Sequence, residues 1–322
     1  MNDFIFPQFP GFSGYGGSIS KIGRFAYQDR KDWSLFNPCI AVSSDGKYAA
    51  TFRSSNYNLH YPQYDVSVLN NEGGGMVASR VWFGYIDENL EQLSDMRIVE
   101  FTGFKFPIKR GLEDARLYWR DGSWWITAVL FEPGNFNHSK MCLFKYDDKA
   151  NLATLVELYE NRAEFGPIEK NWMAPYEANP NFDYVYDCGK IIKDCKITKV
   201  QDNSDTWGFR GGSCLWGLGD KTYLAIVHRQ YQAPYTYYRP ASFATFNGHI
   251  RNYTHLFVRY DYTGKIIGFS EEFQFLGSGV EFAAGLIEKD DDFIISLGRG
   301  DASSHIARIK KETVLSMIKE IK

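Results

Sequence analysis

Residues 113–129 read EDARLYWRDGSWWITAV: a charged pair, a short apolar strand, an Asp-Gly turn and a second strand of aromatic and β-branched residues. That order is the pattern of a β-hairpin. It returns at 37–53 (NPCIAVSSDGKYAATFR), 211–229 (GGSCLWGLGDKTYLAIVHR) and 282–299 (FAAGLIEKDDDFIISLGR), turning each time on Asp-Gly, Gly-Asp or Asp-Asp. A less regular copy spans 171–197, NWMAPYEANPNFDYVYDCGKIIKDCKI. Further strands are predicted at 64–70 (YDVSVLN), 79–87 (SRVWFGYID), 139–147 (SKMCLFKYD), 254–261 (THLFVRYD) and 264–273 (GKIIGFSEEF), making four strands per unit. Radial repetition of four-stranded sheets protects their edges, and five units of roughly 50–60 residues fill one domain of this length.

The fold class this predicts is all-β: a five-bladed β-propeller over residues 1–322, with 1–35 as an N-terminal extension. Helical periodicity is confined to the end, where Val314, Met317, Ile318 and Ile321 recur at spacings of three and four after Thr313. A short C-terminal helix over 311–322 is expected there. A pair of β-sandwiches is the competing architecture, but it would not require the hairpin starts to repeat their chemistry. In a propeller the polar starts Glu113-Asp114, Lys170-Asn171 and Arg210-Gly211-Gly212 converge on one axial pocket.

Composition narrows the function. The 322 residues carry 36 Lys+Arg and 39 Asp+Glu, a net charge of −3, against a non-specific nucleic-acid binder that must displace counterions from phosphates. Aromatic residues make up 17% of the chain, which suits strands and also sugar-binding clefts. The five cysteines form no CxxC pair, so neither a disulfide scaffold nor a zinc ribbon is indicated, and free thiols in a reducing compartment are expected. Residues 1–30 lack the basic start and apolar run of a signal peptide, and no apolar run reaches membrane-spanning length. A cytoplasmic protein without a membrane partner is the expectation.

Several clusters carry chemistry. Glu113, Asp114 and Arg116 abut the apolar Leu117-Tyr118-Trp119, so their charges must be paired or must face a wet cavity. One carboxyl then serves as a general acid or base tuned by the other, or the set is a structural ion pair at a blade junction. Lys170, Asn171 and Trp172 offer a cation, an amide and an indole to a sugar with an anionic neighbour; a solvated Lys beside a core Trp is the plain alternative. In FRGGSCLW, Arg210 precedes Gly211, Gly212 and Ser213, where backbone N–H groups can approach a ligand closely, or where the glycines serve only a turn. HRQY brings His228, Arg229 and Tyr231 to the end of the paired strand. Glu281 begins the last hairpin, and GRGDASSH ends it with Arg299 and Asp301. Residues 201–207, QDNSDTW, read as a surface lip. No HExxH, nucleophile elbow or P-loop is present, so no metal or cofactor is expected, although the axial carboxylates leave a hard cation such as calcium as an alternative.

Together these segments resemble the five-bladed propellers of glycoside hydrolase family 130, the β-mannoside phosphorylases, and the related propeller β-1,2-mannosyltransferases. GLEDARL (111–117) is similar to that group's Gly-x-Glu-Asp-Pro-Arg signature, EKNWMAP (169–175) to its Lys-Asn-Trp segment, and FRGGSCLW, YLAIVHR, VEFAAGL and SLGRGD to its later blade motifs in the same order. The match runs over residues 36–309. Ala115 replaces the signature proline, Ala174 is inserted before Pro175, and Cys214-Leu215 replaces a proline-containing stretch.

The resemblance implies Asp114 as the proton-transferring acid, with Glu113 beside it, acting on the glycosidic oxygen directly or through a sugar hydroxyl. It implies Arg116, Lys170, Arg210 and His228, with Arg229, for phosphate or a phosphate-bearing donor, and mannose-type sugars as substrates. Asn171, Trp172, Gly212, Ser213, Tyr231, Glu281 and Asp301 are the expected sugar contacts. The expected function is glycosyl transfer, with a preference for a transferase using a nucleotide sugar over a phosphorylase or hydrolase using inorganic phosphate or water. A carbohydrate or sugar-modified acceptor is expected, and a modified nucleic-acid base is a further acceptor that the funnel mouth would admit. A non-catalytic carbohydrate-binding propeller is the rival from another class.

Overall fold

The computed structural model describes residues 8–22, 33–60, 65–68, 77–91, 93–106, 108, 110–132, 135–160, 165–202, 207–239 and 244–321. The hairpins at 37–53, 113–129 and 282–299 are the two inner strands of three blades, as the turn chemistry predicts. Leu35–Val42, Tyr48–Ser55, Ser79–Ile86 and Leu93–Ile98 form the first blade, from the inside outward. Glu113–Arg120, Ser123–Glu132, Asn135–Asp147 and Leu152–Leu158 form the second, with Glu100–Thr102 added in parallel at its outer edge.

The third blade is the irregular one. Its sheet holds Tyr184–Tyr186, Lys190–Lys193 and Lys196–Lys199, and the innermost place is taken by Met173, which exchanges both backbone hydrogen bonds with Val185. Pro175 has no N–H for a ladder, and the segment crosses there to the fourth blade, where Ala174 accepts from Leu215 and Tyr176 donates to the same residue. The fourth blade is built on a long hairpin, Thr222–Arg239 paired with Ala244–Asp261, flanked by Arg210–Gly211 and Trp216–Gly217 inside and Ile266–Phe269 outside. Glu281–Lys289, Asp292–Arg299 and Ser303–Lys310 form the fifth.

Two ends of the chain finish the ring. Ser18–Ile22, inside the stretch read as an extension, pairs antiparallel with Ser304–Arg308 and is the outermost strand of the fifth blade. The C-terminal helix runs only over Lys311–Met317. Ile318 turns extended, and Lys319–Glu320 pairs with Gly268 and Phe269, because the open edge of the fourth blade offers ladder hydrogen bonds that a longer helix would forgo. The strand expected at 64–70 is represented by Asp65–Val68, which pairs with Tyr57–His60 as a separate two-stranded hairpin; Tyr64, Leu69 and Asn70 lie outside the described residues. Residues 203–206 of the expected lip lie outside them too. Among the described residues no helix is long and apolar enough to cross a membrane.

The innermost strands are buried on both faces, with Ile40, Leu117 and Leu286 all fully inaccessible, and aromatic rings fill the gaps between blades, as where Phe83 meets Tyr146 at 4.8 Å. One irregularity recurs at the head of these strands. In the first blade Phe36 faces Arg53 and Cys39 faces Thr51, so Asn37 and Pro38 share one partner position; in the second, Asp114 and Ala115 do the same between Glu113 and Arg116. These are β-bulges, and their first residues have left-handed backbone, with φ of 47° at Asn37 and 48° at Asp114. Asn171 stands at the matching place in the third blade with φ of 65°. Asn and Asp tolerate this conformation better than other non-glycine residues.

The N-terminal closure is testable. Phe12 is fully buried with its ring 4.9 Å from Phe275 and 5.8 Å from Phe273. Phe12→Ala is expected to lower stability by about 3–5 kcal/mol in denaturant titration; an unchanged midpoint would mean that this segment does not belong to the ring.

Candidate functional site

An axial cavity of about 400 Å³ opens where the five inner strands begin, and every blade contributes to its lining. That volume suits a sugar or a small phosphorylated ligand. Its two sides carry opposite charge.

One wall holds carboxyls. Glu113, Asp114 and Asp301 line it together with Asn37, Arg53 and Tyr57. Adjacent residues on a regular strand point to opposite faces, but the bulge turns Glu113 and Asp114 to the same cavity. Arg53 answers both, with Nη2 2.7 Å from Glu113 Oε1 and Nη1 3.3 Å from Asp114 Oδ1. Asn37 Nδ2 also donates to Asp114 Oδ1 at 3.1 Å. Burial pushes the Asp114 carboxyl up, yet Arg53, the Asn37 amide and the more distant Arg116 and Lys170 outweigh it and hold Asp114 below the usual Asp range. Glu113 goes the other way: burial, with Asp114 and Asp301 adding their repulsion, raises it against the pull of Arg53 and Lys170. Asp301 is likewise raised by burial, and its Oδ2 accepts a 2.7 Å hydrogen bond from Tyr57 Oη. The wall thus presents Asp114 biased toward its ionised form beside two carboxyls biased toward holding protons.

The opposite wall is cationic. Lys170, Arg210 and Arg251 line it, all exposed to the cavity mouth, and among the described residues none of them is engaged in an ion pair. His228 sits among them, 3% exposed, with its ring stacked 5.2 Å from Tyr253. Burial, then His255 and the neighbouring cations, drive its pKa well below the ordinary value, so it is a neutral imidazole. Asn171 lies between the walls. Its Oδ1 accepts from Arg116 Nη2 at 3.2 Å, which leaves the amide N–H₂ for a ligand.

Of the residues expected from sequence, Glu113, Asp114, Lys170, Asn171, Arg210, His228 and Asp301 are brought together in the cavity. Seven others are elsewhere. Arg116 is fully buried, with Nε on the Gly212 carbonyl at 2.8 Å and its guanidinium 5.3 Å from the Phe282 ring centre, so it braces the inner strands instead of meeting a ligand. Trp172 is fully buried too: its indole donates to Glu169 at 3.0 Å and packs on Tyr159, Phe165 and Tyr184, a core Trp with no face for a sugar. Gly212 is tight against backbone, where a Cβ would come within 2.4 Å of the Ile226 carbonyl, and Ser213 Oγ accepts from Ile226 N at 2.9 Å. That Gly-Ser pair serves strand packing. Arg229, one residue from His228, falls on the other face, where it pairs with Glu272 and bonds the Trp207 carbonyl. Tyr231 joins it through Glu272, at 2.9 Å, beside Phe9. Glu281 is sealed in the core, accepting Phe275 N at 2.9 Å and Leu276 N at 2.7 Å.

Sequence reasoning missed Asn37, Arg53, Tyr57, Arg251 and Tyr253. For Arg53 a signal exists: it closes the hairpin segment 37–53, as Arg299 closes 282–299, and each pairs in register near the head of its inner strand.

No protein-family model matches the chain, and no curated protein matches it. Solved structures do. One, described as a member of the GH130 family of mannoside phosphorylases with glycoside hydrolases that target β-1,2 mannosidic linkages in Candida mannan, aligns at a TM-score of 0.59 with 14% identity, over 97% of this chain and 96% of that one. The β-1,2-mannobiose phosphorylase from Listeria innocua aligns at 0.54 with 13% identity, over 90% and 94%. A GDP-Man-dependent mannosyltransferase from Leishmania mexicana aligns at 0.52 with 13% identity, over 91% and 89%. The chain shares their fold. The resemblance carried by the motifs is therefore met in the architecture along nearly the whole length.

Burial pushes Glu281 up to about 7, against the pull of two N–H groups and Arg299. In the unfolded chain it titrates near about 4.3. The folded form binds the proton more tightly, so its contribution to stability is complete below that value and is lost as pH rises toward 7. Between pH 5 and 8 the unfolding midpoint of wild type is expected to fall relative to that of Glu281→Gln. Parallel profiles would show that Glu281 is not buried as an acid.

Proposed function

We propose that the protein transfers a glycosyl group at the axial cavity, from a donor whose leaving group carries phosphate to an acceptor hydroxyl. The observation that carries this reading is that one sugar-sized cavity brings the carboxyls of Glu113, Asp114 and Asp301 together with Lys170, Arg210 and Arg251, cations that form no ion pair among the described residues. Glycosyl transfer needs a proton acceptor on one side of the anomeric carbon and charge stabilisation for the departing oxygen on the other. Here the phosphate oxygens lie against Lys170, Arg210 and Arg251, and the Asn171 amide donates to the sugar or its phosphate. The acceptor oxygen bonds to the anomeric carbon as the carbon–oxygen bond to phosphate breaks. Asp114 takes the acceptor's proton, directly or through a sugar hydroxyl, and the phosphate leaves as an anion. Mannose-type sugars are the proposed substrates, since the structural neighbours are described as acting on mannosides or using GDP-Man.

A nucleotide sugar is the proposed donor. An Asp114 held as carboxylate suits accepting a proton, the direction that synthesis requires, and three cations spread from the third blade to the long hairpin of the fourth give more positive charge than one phosphate needs. Arg251 fills the place expected for Arg229. The acceptor is a carbohydrate or a sugar-modified molecule entering from the mouth. Five cysteines without a disulfide fit a reducing cytoplasm, where sugar nucleotides are made. A phosphorylase is the second reading, favoured by the close grouping of Lys170, Arg210 and His228, which would equally seat inorganic phosphate.

Thermal shift separates the two. A sugar nucleotide at 100 times its Kd is expected to stabilise the fold by about 2.7 kcal/mol, with phosphate plus a mannoside giving little. The reverse pattern would establish the phosphorylase. Asp114→Asn is expected to cut turnover by about 10²–10⁴ while the donor still raises the melting temperature. Lys170→Ala combined with Arg210→Ala is expected to abolish that rise, and undiminished donor binding in this pair would refute the assignment of the cation wall.

A further inference from the structure

We propose that Arg53 is the positioning residue of the site: by spanning Glu113 and Asp114 with the two ends of one guanidinium, it keeps Asp114 available as a proton acceptor. The inference rests on the glycosyl-transfer reading for its kinetics alone.

The geometry is constrained on every side. Arg53 leaves the second strand of the first blade, and its side chain is 7% exposed. Nε donates to Ser79 Oγ at 3.0 Å, and Ser79 is fixed in turn by the Ser55 hydroxyl at 2.7 Å and by its own N–H on the Arg110 carbonyl at 2.7 Å. The rings of Phe36 and Tyr57 lie 5.3 and 5.9 Å from the guanidinium carbon. With the Nε edge anchored, the two terminal nitrogens reach two different carboxylates instead of closing bidentately on one.

The arrangement answers a specific problem. The bulge sets two consecutive carboxyls side by side, and Asp301, held by the neutral Tyr57 hydroxyl, brings a third. The groups facing Asp114 are therefore Glu113 and Asp301 as carboxyls, Arg53 in contact, and Arg116 and Lys170 farther off. Carboxyls this close and this buried do not all ionise together. Among the described residues Arg53 is the one cation that touches Asp114; it pulls on Glu113 too, at the shorter distance, and Asn37, which donates to Asp114, adds to the bias that keeps the charge there. Without Arg53 both carboxyls of the Glu113–Asp114 pair are raised, and Asp114 becomes a poorer acceptor for the proton of a hydroxyl. Sequence position marks Arg53 only as the close of its hairpin segment and not as a partner of Glu113 and Asp114, which are 60 and 61 residues away.

The test compares wild type with Arg53→Met, Arg53→Lys and Ser79→Ala. In protein labelled with ¹³C at the carboxyl carbons, with Asp114 assigned through Asp114→Asn, its titration midpoint is expected to rise by about one pH unit or more in Arg53→Met and by less in Arg53→Lys. This arm needs no substrate, so it decides the role of Arg53 even if no glycosyl donor is turned over. With a donor that is turned over, the acid limb of kcat/KM should move up with the same order of shifts, kcat should fall more than KM rises, and Arg53→Lys should restore the limb partly. Ser79→Ala keeps the charge and frees its aim. If Arg53→Met does not fold, Ser79→Ala carries the test by a lowered kcat and a raised Asp114 midpoint. An Asp114 midpoint equal to wild type in the folded variants, or kcat, KM and stability falling together with the limb unmoved, would overturn the proposal.

Discussion

A β-strand sends consecutive side chains to opposite faces, and the cavity exists because three successive blades suspend that rule at the same place. Asn37, Asp114 and Asn171 each adopt left-handed backbone at the head of an inner strand. Such a conformation costs about 1–3 kcal/mol per residue and persists only where the surroundings determine it. Here they do. Asn37 donates to Asp114, Asn171 accepts from Arg116, and Asn37 occupies the space above Gly298, where a Cβ would come within 2.1 Å of its Oδ1. The strain buys two neighbouring carboxyls on one side of a strand, which regular geometry cannot supply.

Those carboxyls tie the chemistry to closure of the ring. Asn37 and Asp114 are 77 residues apart, while Tyr57 and Asp301 are separated by 244 and meet across the junction of the first and last blades. At that end of the ring Ser18–Ile22 completes the fifth blade against Ser303–Lys310. The carboxyl wall is thus assembled only from contacts distant in sequence, and loosening of the terminal strand would reach Asp301 through the sheet that carries it. The cation wall depends on less. Lys170, Arg210 and Arg251 rise from the third and fourth blades and stand exposed in the mouth.

The blades were legible because turn residues and period-two patterning are local properties, and the wall residues at strand heads were legible because charge beside a buried strand must go somewhere. What alternation governs was misread. Taking Lys170, Asn171 and Trp172 as one ligand face holds for the first two, which line the cavity, while Trp172 turns away and joins the aromatic core. Grouping Arg229 with His228 makes the same error, since Arg229 turns to Glu272 on the other face. Arg251 was invisible for a different reason: it reaches the cavity through a register that becomes known only when the strand partners are known, and Arg53, though it closes its hairpin segment, meets Glu113 and Asp114 only across blades. Gly212 and Ser213 show that glycine near an arginine reports close packing of strands as readily as a place for a ligand.

The departure from the familiar signature at Ala115 follows the same logic. A proline in the second bulge position fixes φ and lowers the entropy of the unfolded chain. The first blade has one there, Pro38, after Asn37. The second blade has Ala115, and its carbonyl accepts a 2.8 Å hydrogen bond from the buried Thr51 hydroxyl of the neighbouring blade, as the Pro38 carbonyl accepts one of 2.7 Å from Ser296. The cross-blade hydrogen bond is common to both bulges and is kept where the proline ring is absent. The bulge, and with it the aim of Asp114, survives the substitution because the constraint lies in the backbone path, which several residue types can hold. The chain shares only 13–14% of its residues with the mannoside-related propellers and still has their fold.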